Sequence, residues 1–523
     1  MQTLRKSVVP SLGGTITAQS SQLASGIPIE VLLNVSSHLK TPDYCALRIS
    51  CKQIEDKLLD AFAQEFFTKR QFMWVELSFQ ALVDISHSRF SNSLNYVIFS
   101  LEQPIWRFPT EMTGPLNAAT GDIEILENRI NRTFKTLHYV PFFTTGQDVE
   151  MLAEAFGNLR NLETIGIRDF NSRTRRRDYP DDAWKSYGST TIKRESGPLV
   201  LHDDNRPRHP IFNNCSGSEY GLMNHVFMGV LRGAGKSSSP SKGLGLEVIM
   251  RRGSFTDTVL SLPPYVLPVL RPVLRHLRVL FLDLSSNTGC IQLNINGIAT
   301  KCPNYFLMKF LSETTELDHL RLNFRSTWGS KSGGDFLSWL SKSAPTDLAT
   351  PTQISELPRP VDFKHLRRID IGMFEVEPNA VLATMRKFQA TIETISLHRL
   401  TLTNTDVLAA GERVNLWAKL FGQLAKLDLN LKGINMSHLA QHVIDRGNVH
   451  VKEVTFKDSK WPRTRNWAGT GTQSALRDFK DMVIVVRLNE NSESDSSEND
   501  SEQSTTDRNP DEDSGDNEDE DDD

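Results

Sequence analysis

The sequence predicts an α/β protein with three parts: three short helices near the N-terminus, a long array of strands and helices, and an acidic tail. Three patterns support this prediction. Apolar residues recur at helical spacing over residues 27–67, they recur at strand spacing along the middle of the chain, and residues 490–523 contain almost none. The chain has 523 residues, of which 38% are hydrophobic, and this length allows roughly two to four folding units.

Two proline-containing segments predict the starts of the first two helices. Pro28 stands where a first helical turn tolerates a missing N–H group, and Thr41 is predicted to cap the second helix just before Pro42. The third helix is predicted from apolar residues that recur every four positions. These residues are Ile54, Leu58, Phe62 and Phe66.

The first helix carries more apolar surface than one core contact needs. Val31, Val35 and Leu39 share one stripe, whereas Leu32 and Leu33 point elsewhere. Three short helices in about forty residues lie near the lower size limit for a self-sufficient core. The surplus apolar surface therefore predicts a helical docking module whose partner covers it.

The landmark residues of this module also carry a family resemblance. In chain order they are Ile27, Pro28, Glu30, Val31, Leu32, Leu39, Asp43, Leu47, Cys51, Lys52 and Ile54. This pattern resembles the F-box, a helical motif whose family members bind the Skp adaptor of cullin-type ubiquitin ligases. Polar Ser36 and Ser37 stand where family members are often more apolar. The segment that follows is similar to one found after the box in many fungal F-box proteins.

The resemblance implies a docking site for the Skp adaptor and, through it, for the cullin scaffold. The implied site residues lie between residues 27 and 51 and are mostly apolar. They are Ile27, Pro28, Glu30, Val31, Leu32, Leu33, Val35, Leu39, Leu47 and Cys51. A target protein held on the same chain would then receive ubiquitin in a nearly intramolecular reaction.

A second apolar pattern recurs through the middle of the chain. In its clearest copy, leucines at 274, 277, 280, 282 and 284 match the leucine-rich repeat pattern, in which a short strand follows an apolar approach segment. Further copies begin at Leu159, Leu317, Leu366, Ile392, Leu424 and Val451. Units of this kind stack into a curved solenoid, because one unit cannot bury its apolar face alone. We therefore predict an irregular leucine-rich-repeat-like solenoid, with a generic α/β domain of unrelated strands as the alternative.

These patterns divide the chain into five regions. They are a flexible N-terminus at 1–24, the F-box at 25–67, a linking region at 68–150, the repeat-like substrate-binding region at 151–487 and a disordered acidic tail at 488–523. Two insertions interrupt the repeat-like region, near 171–213 and 236–243. The first contains clustered Arg173, Arg175, Arg176 and Arg177. Arginine clusters of this kind most often lie in solvated loops. The alternative is that the cluster binds an acidic partner or acts as a nuclear signal.

The net charge of −5 is divided unevenly. Residues 490–523 contain seventeen acidic residues and one arginine, so they carry −16 and the remaining residues carry +11. The tail lacks the apolar residues that would offset its ordering entropy, which predicts disorder. Ser492, Ser497 and Ser504 each precede an acid by three positions, the spacing that acidophilic kinases prefer, and are candidate phosphorylation sites. A solubilising tail is the alternative.

The sequence contains no motif for catalysis or for a metal. HExxH, GxSxG and paired metal-ligand spacings are absent. The run from Gly233 to Ser237 resembles the end of a phosphate-binding loop, but Val230 stands where that loop requires glycine. The five cysteines form no CxxC pair, which favours free thiols in a reducing compartment. No apolar run reaches the roughly 18 residues of a membrane span. We predict neither a cofactor nor a metal.

The residues and the resemblance together predict a non-catalytic, substrate-recognition subunit of a Skp-cullin-F-box ubiquitin ligase. It would act in the cytoplasm or the nucleus and would hold an unknown protein target on the repeat-like region. Two alternatives belong to other classes. One is an F-box scaffold that does not lead to degradation. The other is a nucleic-acid- or chromatin-associated protein, prompted by the basic body, and it ranks below the others because no basic motif with interleaved aromatic residues is present.

Overall fold

The structure is a computed structural model. It describes residues 26–104, 141–171, 176–178, 185–196, 199–200, 221–237, 243–251, 255–285, 291–295, 298–325, 332–343, 358–403, 414–445, 448–457 and 463–487. Several predictions lie outside these residues: the flexible N-terminus, the acidic tail with Ser492, Ser497 and Ser504, and the arginines at 173 and 175. Among the described helices, none is both long and apolar enough to cross a membrane.

Helices and strands alternate along most of the described chain. The α-helices are α1 Ile29–Ser37, α2 Thr41–Ile49, α3 Lys52–Phe67, α4 Glu76–His87, α5 Gln147–Asn158, α6 Ser189–Ser196, α7 Gly221–Lys236, α8 Leu267–Arg275, α9 Tyr305–Leu311, α10 Ser332–Leu340, α11 Pro378–Lys387, α12 Leu416–Leu424 and α13 Thr472–Met482. Two short 3-10 helices span Arg176–Asp178 and Asp257–Leu260.

The strands follow the same chain order. They are β1 Lys69–Met73, β2 Tyr96–Ser100, β3 Gln103–Pro104, β4 Thr164–Arg168, β5 Leu199–Val200, β6 Gly245–Ile249, β7 Val279–Ser285, β8 Ile291–Ile295, β9 Ile298–Cys302, β10 His319–Arg325, β11 Arg368–Gly372, β12 Glu375–Val376, β13 Thr394–His398, β14 Thr401–Thr403, β15 Gly433–Ser437, β16 Ala440–Asp445, β17 Asn448–Phe456, β18 Thr464–Ala468 and β19 Val483–Arg487.

A ten-stranded sheet organises the body of the protein. Its strand order is β1-β2-β4-β6-β7-β10-β11-β13-β15-β18, so its members follow chain order from one edge to the other. All the pairings from β1 to β15 are parallel, and β18 adds an antiparallel edge. Parallel neighbours need crossover connections, which the intervening helices supply. The fold is therefore a mixed α/β fold with a large, mostly parallel sheet.

The register of this sheet places apolar side chains in rows. Leu280, Leu320, Ile369, Ile395 and Ile434 are aligned partners across five neighbouring strands, and all five are buried. Because side chains alternate between the two faces of a strand, the residues beside them in sequence face the opposite side. One core follows the buried face of the sheet along the chain.

A smaller, five-stranded sheet lies beside the C-terminal strands. Its order is β12-β14-β16-β17-β19. The strands β12, β14 and β16 pair in parallel, whereas β16 and β17 pair antiparallel. Its last strand, β19, is the final described strand of the chain.

One predicted strand was misplaced, and another lies outside the main sheet. The copy that begins at Leu424 predicted a strand at 427–429, but that segment leads into β15 and the strand is Gly433–Ser437. The copy that begins at Val451 lies in β17 of the smaller sheet, not in the main sheet. Leu429 and Leu431 are both buried, so the apolar spacing there reflects packing of an irregular segment.

The predicted linking region also needs correction. Residues 68–150 contain β1 and β2, which are the first two strands of the main sheet. Lys69 directly follows the third helix of the N-terminal module, so the sheet begins where that module ends. The body therefore extends further toward the N-terminus than the predicted boundary at residue 151.

The glycine-rich run that resembles a phosphate-binding loop has a packing role. Gly233 and Gly235 lie in the last turn of α7, so this run ends a helix instead of preceding one. A Cβ at Gly233 would lie 2.6 Å from Cβ of Leu152 in α5, and a Cβ at Gly235 would overlap the backbone of Val269 in α8. Glycine at these two positions allows the three helices to approach closely.

Candidate docking site

The three N-terminal helices enclose a small core of their own. It consists of Leu32, Tyr44, Ile54, Leu58, Phe62 and Phe66, and it is separate from the core of the sheet. The ring of Tyr44 lies 5.7 Å from that of Phe62 and 6.0 Å from that of Phe66, measured between centroids. The four residues that predicted α3 are therefore the residues whose side chains α3 contributes to this core.

Helix α1 contributes very little of its surface to this core. Only Leu32 and Ser36 are buried along it, whereas four of its apolar residues are exposed. The exposed fractions are 44% for Ile29, 49% for Val31, 37% for Leu33 and 46% for Val35. At 100° per residue, Ile29 and Leu33 form a stripe on one side of the buried pair, and Val31 and Val35 form a stripe on the other. An apolar surface on so short a helix is the feature that a docking partner would cover.

The structure divides the predicted site residues into three groups. Pro28, Glu30, Val31, Leu33 and Val35 are exposed. Leu32 is only 4% exposed, so its side chain supports the module from within. The remaining predicted residues are half-buried and pack against the core of the module. They are Ile27, Leu39, Leu47 and Cys51.

Sequence reasoning missed two exposed apolar residues. Ile29 shares a stripe with Leu33, and Ile49 at the end of α2 is 70% exposed. The four-residue spacing of Ile29 and Leu33 was the available signal. The stripe of Val31, Val35 and Leu39 lies on the other side of the helix and does not include this pair.

The corner between α1 and α2 is held by Arg177 from the body of the chain. Its guanidinium makes two hydrogen bonds of 2.7 Å to the carboxylate of Glu65 in α3. It also donates to the carbonyl of Ser36 and, at 2.8 Å, to that of Leu39, which lie at the C-terminal end of α1. The guanidinium carbon lies 4.4 Å from the ring centroid of Tyr44. The arginine predicted to belong to a solvated loop is therefore half-buried, and that interpretation was wrong for Arg177.

The electrostatics of this corner follow from the same contacts. Hydrogen bonding to Glu65 raises the pKa of Arg177 above its ordinary value, which reinforces a charge that is already permanent. Burial raises the pKa of Tyr44, and the nearby Glu65 carboxylate adds to this effect. The corner therefore holds one fixed cation against one carboxylate and a neutral phenol.

Asp178 completes the contact with the first turn of α2. Its carboxylate accepts hydrogen bonds from the backbone N–H of Thr41 at 2.9 Å and from the Thr41 hydroxyl at 2.5 Å. Lys40 is the N-cap residue of α2, and no side chain of the helix itself caps this end. The prediction that Thr41 caps α2 was wrong: Thr41 is the first helical residue, and the capping carboxylate comes from Asp178. We call the Arg177–Asp178 pair and its contacts the latch.

The face of the main sheet opposite its core carries polar side chains. In β10, Leu320, Leu322 and Phe324 are buried, while His319 and Arg321 on the other face of the strand remain partly exposed. His319 lies 2.9 Å from a carboxylate oxygen of Asp370 on the neighbouring strand β11. This face is polar and charged, and it runs across consecutive strands.

A second polar group lies on the same face toward the first edge. Tyr96 of β2 donates a hydrogen bond to Glu247 of β6, and Arg168 of β4 donates to the Tyr96 oxygen at 2.8 Å. Burial raises the pKa of Tyr96, so its hydroxyl keeps its proton. Gly166 stands between them, and a Cβ there would lie 3.1 Å from the Tyr96 ring. Glycine at this position leaves room for the ring.

The described residues contain no group of three or more His, Cys, Asp or Glu residues that could hold a metal ion. Cys45, Cys51 and Cys302 are free thiols, and His398 is hydrogen-bonded to Ser437 at 2.7 Å.

Comparison with known proteins identifies one part of the chain. The family model of the F-box domain matches residues 25–59, which include α1, α2 and the first half of α3. No curated protein matches the chain. F-box domains generally bind Skp1, and F-box proteins are generally non-catalytic ligase subunits. The exposed apolar surface of α1 thus lies within a matched F-box domain, and the match supports an F-box protein.

Proposed function

We propose that this protein is the substrate-recognition subunit of a Skp-cullin-F-box ubiquitin ligase. The single observation that carries the proposal is the exposed apolar surface of α1 inside the matched F-box domain. Burying a Leu or Ile side chain contributes about 1.5–3 kcal/mol, so two apolar stripes can supply substantial binding free energy. The adaptor would cover both stripes and bring the cullin scaffold with it.

The target protein would be held on the polar face of the main sheet, which we regard as the inner face of an irregular, leucine-rich-repeat-like solenoid. The parallel strands in chain order and the aligned apolar rows support this arrangement. Half-exposed groups such as Arg321 and His319 offer charged and polar contacts across neighbouring strands. Binding there would raise the local concentration of the target at the ligase.

The test compares adaptor binding by the full chain and by variants of α1. One variant combines Ile29→Ala with Leu33→Ala, and another combines Val31→Ala with Val35→Ala. Alanine removes the apolar side chains while it preserves helix propensity. We expect each pair to weaken binding of the purified Skp adaptor by about 100-fold, because two contacts worth about 1.4 kcal/mol each are lost.

The matched control removes exposed apolar side chains outside the F-box domain. Leu77 and Tyr265 are 42% and 93% exposed, and we expect Leu77→Ala with Tyr265→Ala to bind the adaptor as tightly as the parent. Full adaptor affinity in both α1 variants would refute the proposed site. Affinity purification with mass spectrometry would then show whether the cullin is lost together with the adaptor.

The degradative role needs a separate measurement. Proteins retained by the α1 variants but not by a chain altered on the polar face of the sheet are candidate targets. If the chain is a ligase subunit, their half-lives in cells should lengthen when the α1 stripes are removed. Unchanged half-lives, combined with normal adaptor binding by the parent chain, would favour the non-degradative scaffold.

A further inference from the structure

The latch joins two parts of the protein that have separate hydrophobic cores. The F-box core and the sheet core share no buried residue, and the latch connects them through hydrogen bonds and an ion pair. Its Asp178 arm closes on Thr41, which is directly followed by Pro42. Thr41 is half-buried, whereas Lys40, Pro42 and Asp43 around it are exposed. The closing point of the latch is therefore a surface Thr-Pro dipeptide.

We propose that Thr41 is a phosphorylation site for a proline-directed protein kinase, and that its phosphate opens the latch. In this reaction the Thr41 hydroxyl attacks the γ-phosphorus of ATP, the bond between the β- and γ-phosphates breaks, and ADP leaves. The hydroxyl proton passes to the kinase's base. Kinases of this class select proline directly after the acceptor, the position that Pro42 occupies.

The geometry explains why the phosphate and the closed latch exclude each other. The Thr41 hydroxyl is a donor to Asp178 at 2.5 Å, and phosphorylation removes the donated proton. It also places about −1.5 to −2 charges beside a carboxylate. Arg177 cannot neutralise this added charge while the latch is closed, because its guanidinium already donates hydrogen bonds to Glu65 and to two backbone carbonyls. Since Arg177 and Asp178 share one 3-10 helix, displacement of Asp178 also pulls on the Arg177 contacts.

The backbone N–H of Thr41 provides a specific readout. First-turn N–H groups of a helix have no partner within the helix. Asp178 supplies the partner for this one, at 2.9 Å. Exchange of this amide with solvent deuterium therefore reports whether the Asp178 arm is closed. Opening removes a hydrogen bond to a charged acceptor, so it should speed this exchange by about tenfold or more.

The experiment uses the full chain in a form with a single Thr-Pro or Ser-Pro site. The sequence contains two other such pairs, Ser239-Pro240 and Thr350-Pro351, so the parent carries Ser239→Ala and Thr350→Ala. This parent is incubated with ATP and a proline-directed kinase, and residue-resolved exchange is measured before and after. Exchange of the amides of α3 serves as the check that the F-box remains folded.

Two variants separate the effect of charge from that of the lost hydroxyl. Thr41→Val cannot be phosphorylated and should show no kinase-dependent change. Asp178→Asn keeps an acceptor oxygen but removes the carboxylate charge, so phosphorylation should accelerate Thr41 exchange far less than tenfold in this background. A comparable acceleration with and without the Asp178 charge would overturn the electrostatic mechanism.

The expected result is phosphate on Thr41 together with faster exchange of its amide and unchanged protection of α3. A chain that the kinase leaves unmodified at Thr41 overturns the proposal. So does a phosphorylated chain whose Thr41 amide stays as protected as before. These readouts involve no adaptor, so they succeed or fail independently of the proposed ligase role.

Discussion

Leu32 and Leu33 are adjacent leucines whose truncation should have opposite effects: one should reduce the stability of the F-box and the other its binding of the adaptor. Leu32 is 4% exposed and belongs to the six-residue F-box core, whereas Leu33 is 37% exposed on the surface of α1. Truncation of a buried leucine to alanine costs about 2–5 kcal/mol, but an exposed substitution usually changes stability by about 0.5 kcal/mol or less. We therefore expect Leu32→Ala to destabilise the F-box by about 3 kcal/mol and Leu33→Ala to leave its stability almost unchanged.

For binding of the Skp adaptor, we expect the larger direct effect from Leu33→Ala and the smaller one from Leu32→Ala. Leu33→Ala removes a side chain that the adaptor would bury, so we expect the dissociation constant to rise about tenfold, equivalent to about 1.4 kcal/mol. Leu32→Ala should weaken binding only in proportion to the fraction of F-box that is unfolded, because apparent affinity scales with the competent population.

Two measurements decide the matter. Hydrogen exchange of the α3 amides reports the opening free energy of the F-box, and titration calorimetry with the purified adaptor reports affinity. The reasoning would be refuted if both variants destabilised α3 equally, or if Leu32→Ala weakened binding while α3 stayed fully protected. Either outcome would mean that the assigned faces of α1 are wrong.

Further predictions concern the body of the protein. Burial raises the pKa of Asp257 to about 6. Because the pKa of Asp257 is higher in the folded state than in the unfolded state, the free energy of unfolding falls as pH rises between about 4 and 6. Asp257→Asn should therefore raise the free energy of unfolding by about 3 kcal/mol above pH 6, as measured by denaturant unfolding at pH 4 and pH 8. Equal effects of the substitution at the two pH values would contradict this. Gly372→Ala should cost about 1–3 kcal/mol in the same assay, because the added Cβ would overlap the backbone carbonyl of His398, whereas Gly422→Ala, with only the flexible Lys480 side chain nearby, should cost little.

The helices of the F-box were predictable because their signals are local. Apolar residues every four positions in α3 and the prolines near the starts of α1 and α2 depend only on nearby sequence. The direction that α1 faces was harder to predict. A polar residue, Ser36, shares the buried stripe with Leu32, and its hydroxyl is satisfied by the Leu33 carbonyl at 2.8 Å. Apolar spacing alone could not place a serine in the core.

The misplaced strand of the copy that begins at Leu424 has a similar cause. Gly433 and Asn435 occupy β15 although neither residue type favours strands, whereas Leu427 and Leu429 match the apolar spacing without forming one. Gly433 is packed against Thr394 of β13, where a Cβ would lie 3.3 Å from a methyl group. The position of this strand was therefore decided by its neighbour in the sheet, which a single segment of sequence does not reveal.

The latch was beyond the reach of local patterns. Arg177 lies 112 residues from Glu65, and nothing in the arginine cluster distinguishes it from its neighbours. Its position nevertheless has a physical logic. The C-terminal carbonyls of α1 attract a cation and the first N–H groups of α2 attract an anion, so an Arg-Asp dipeptide complements both helix ends at one corner. A contact built from charges on helix ends can be broken by adding one charge, without disturbing either hydrophobic core. The same feature that hid the latch from sequence reasoning makes Thr41 a position where a single phosphate would alter how the F-box is held.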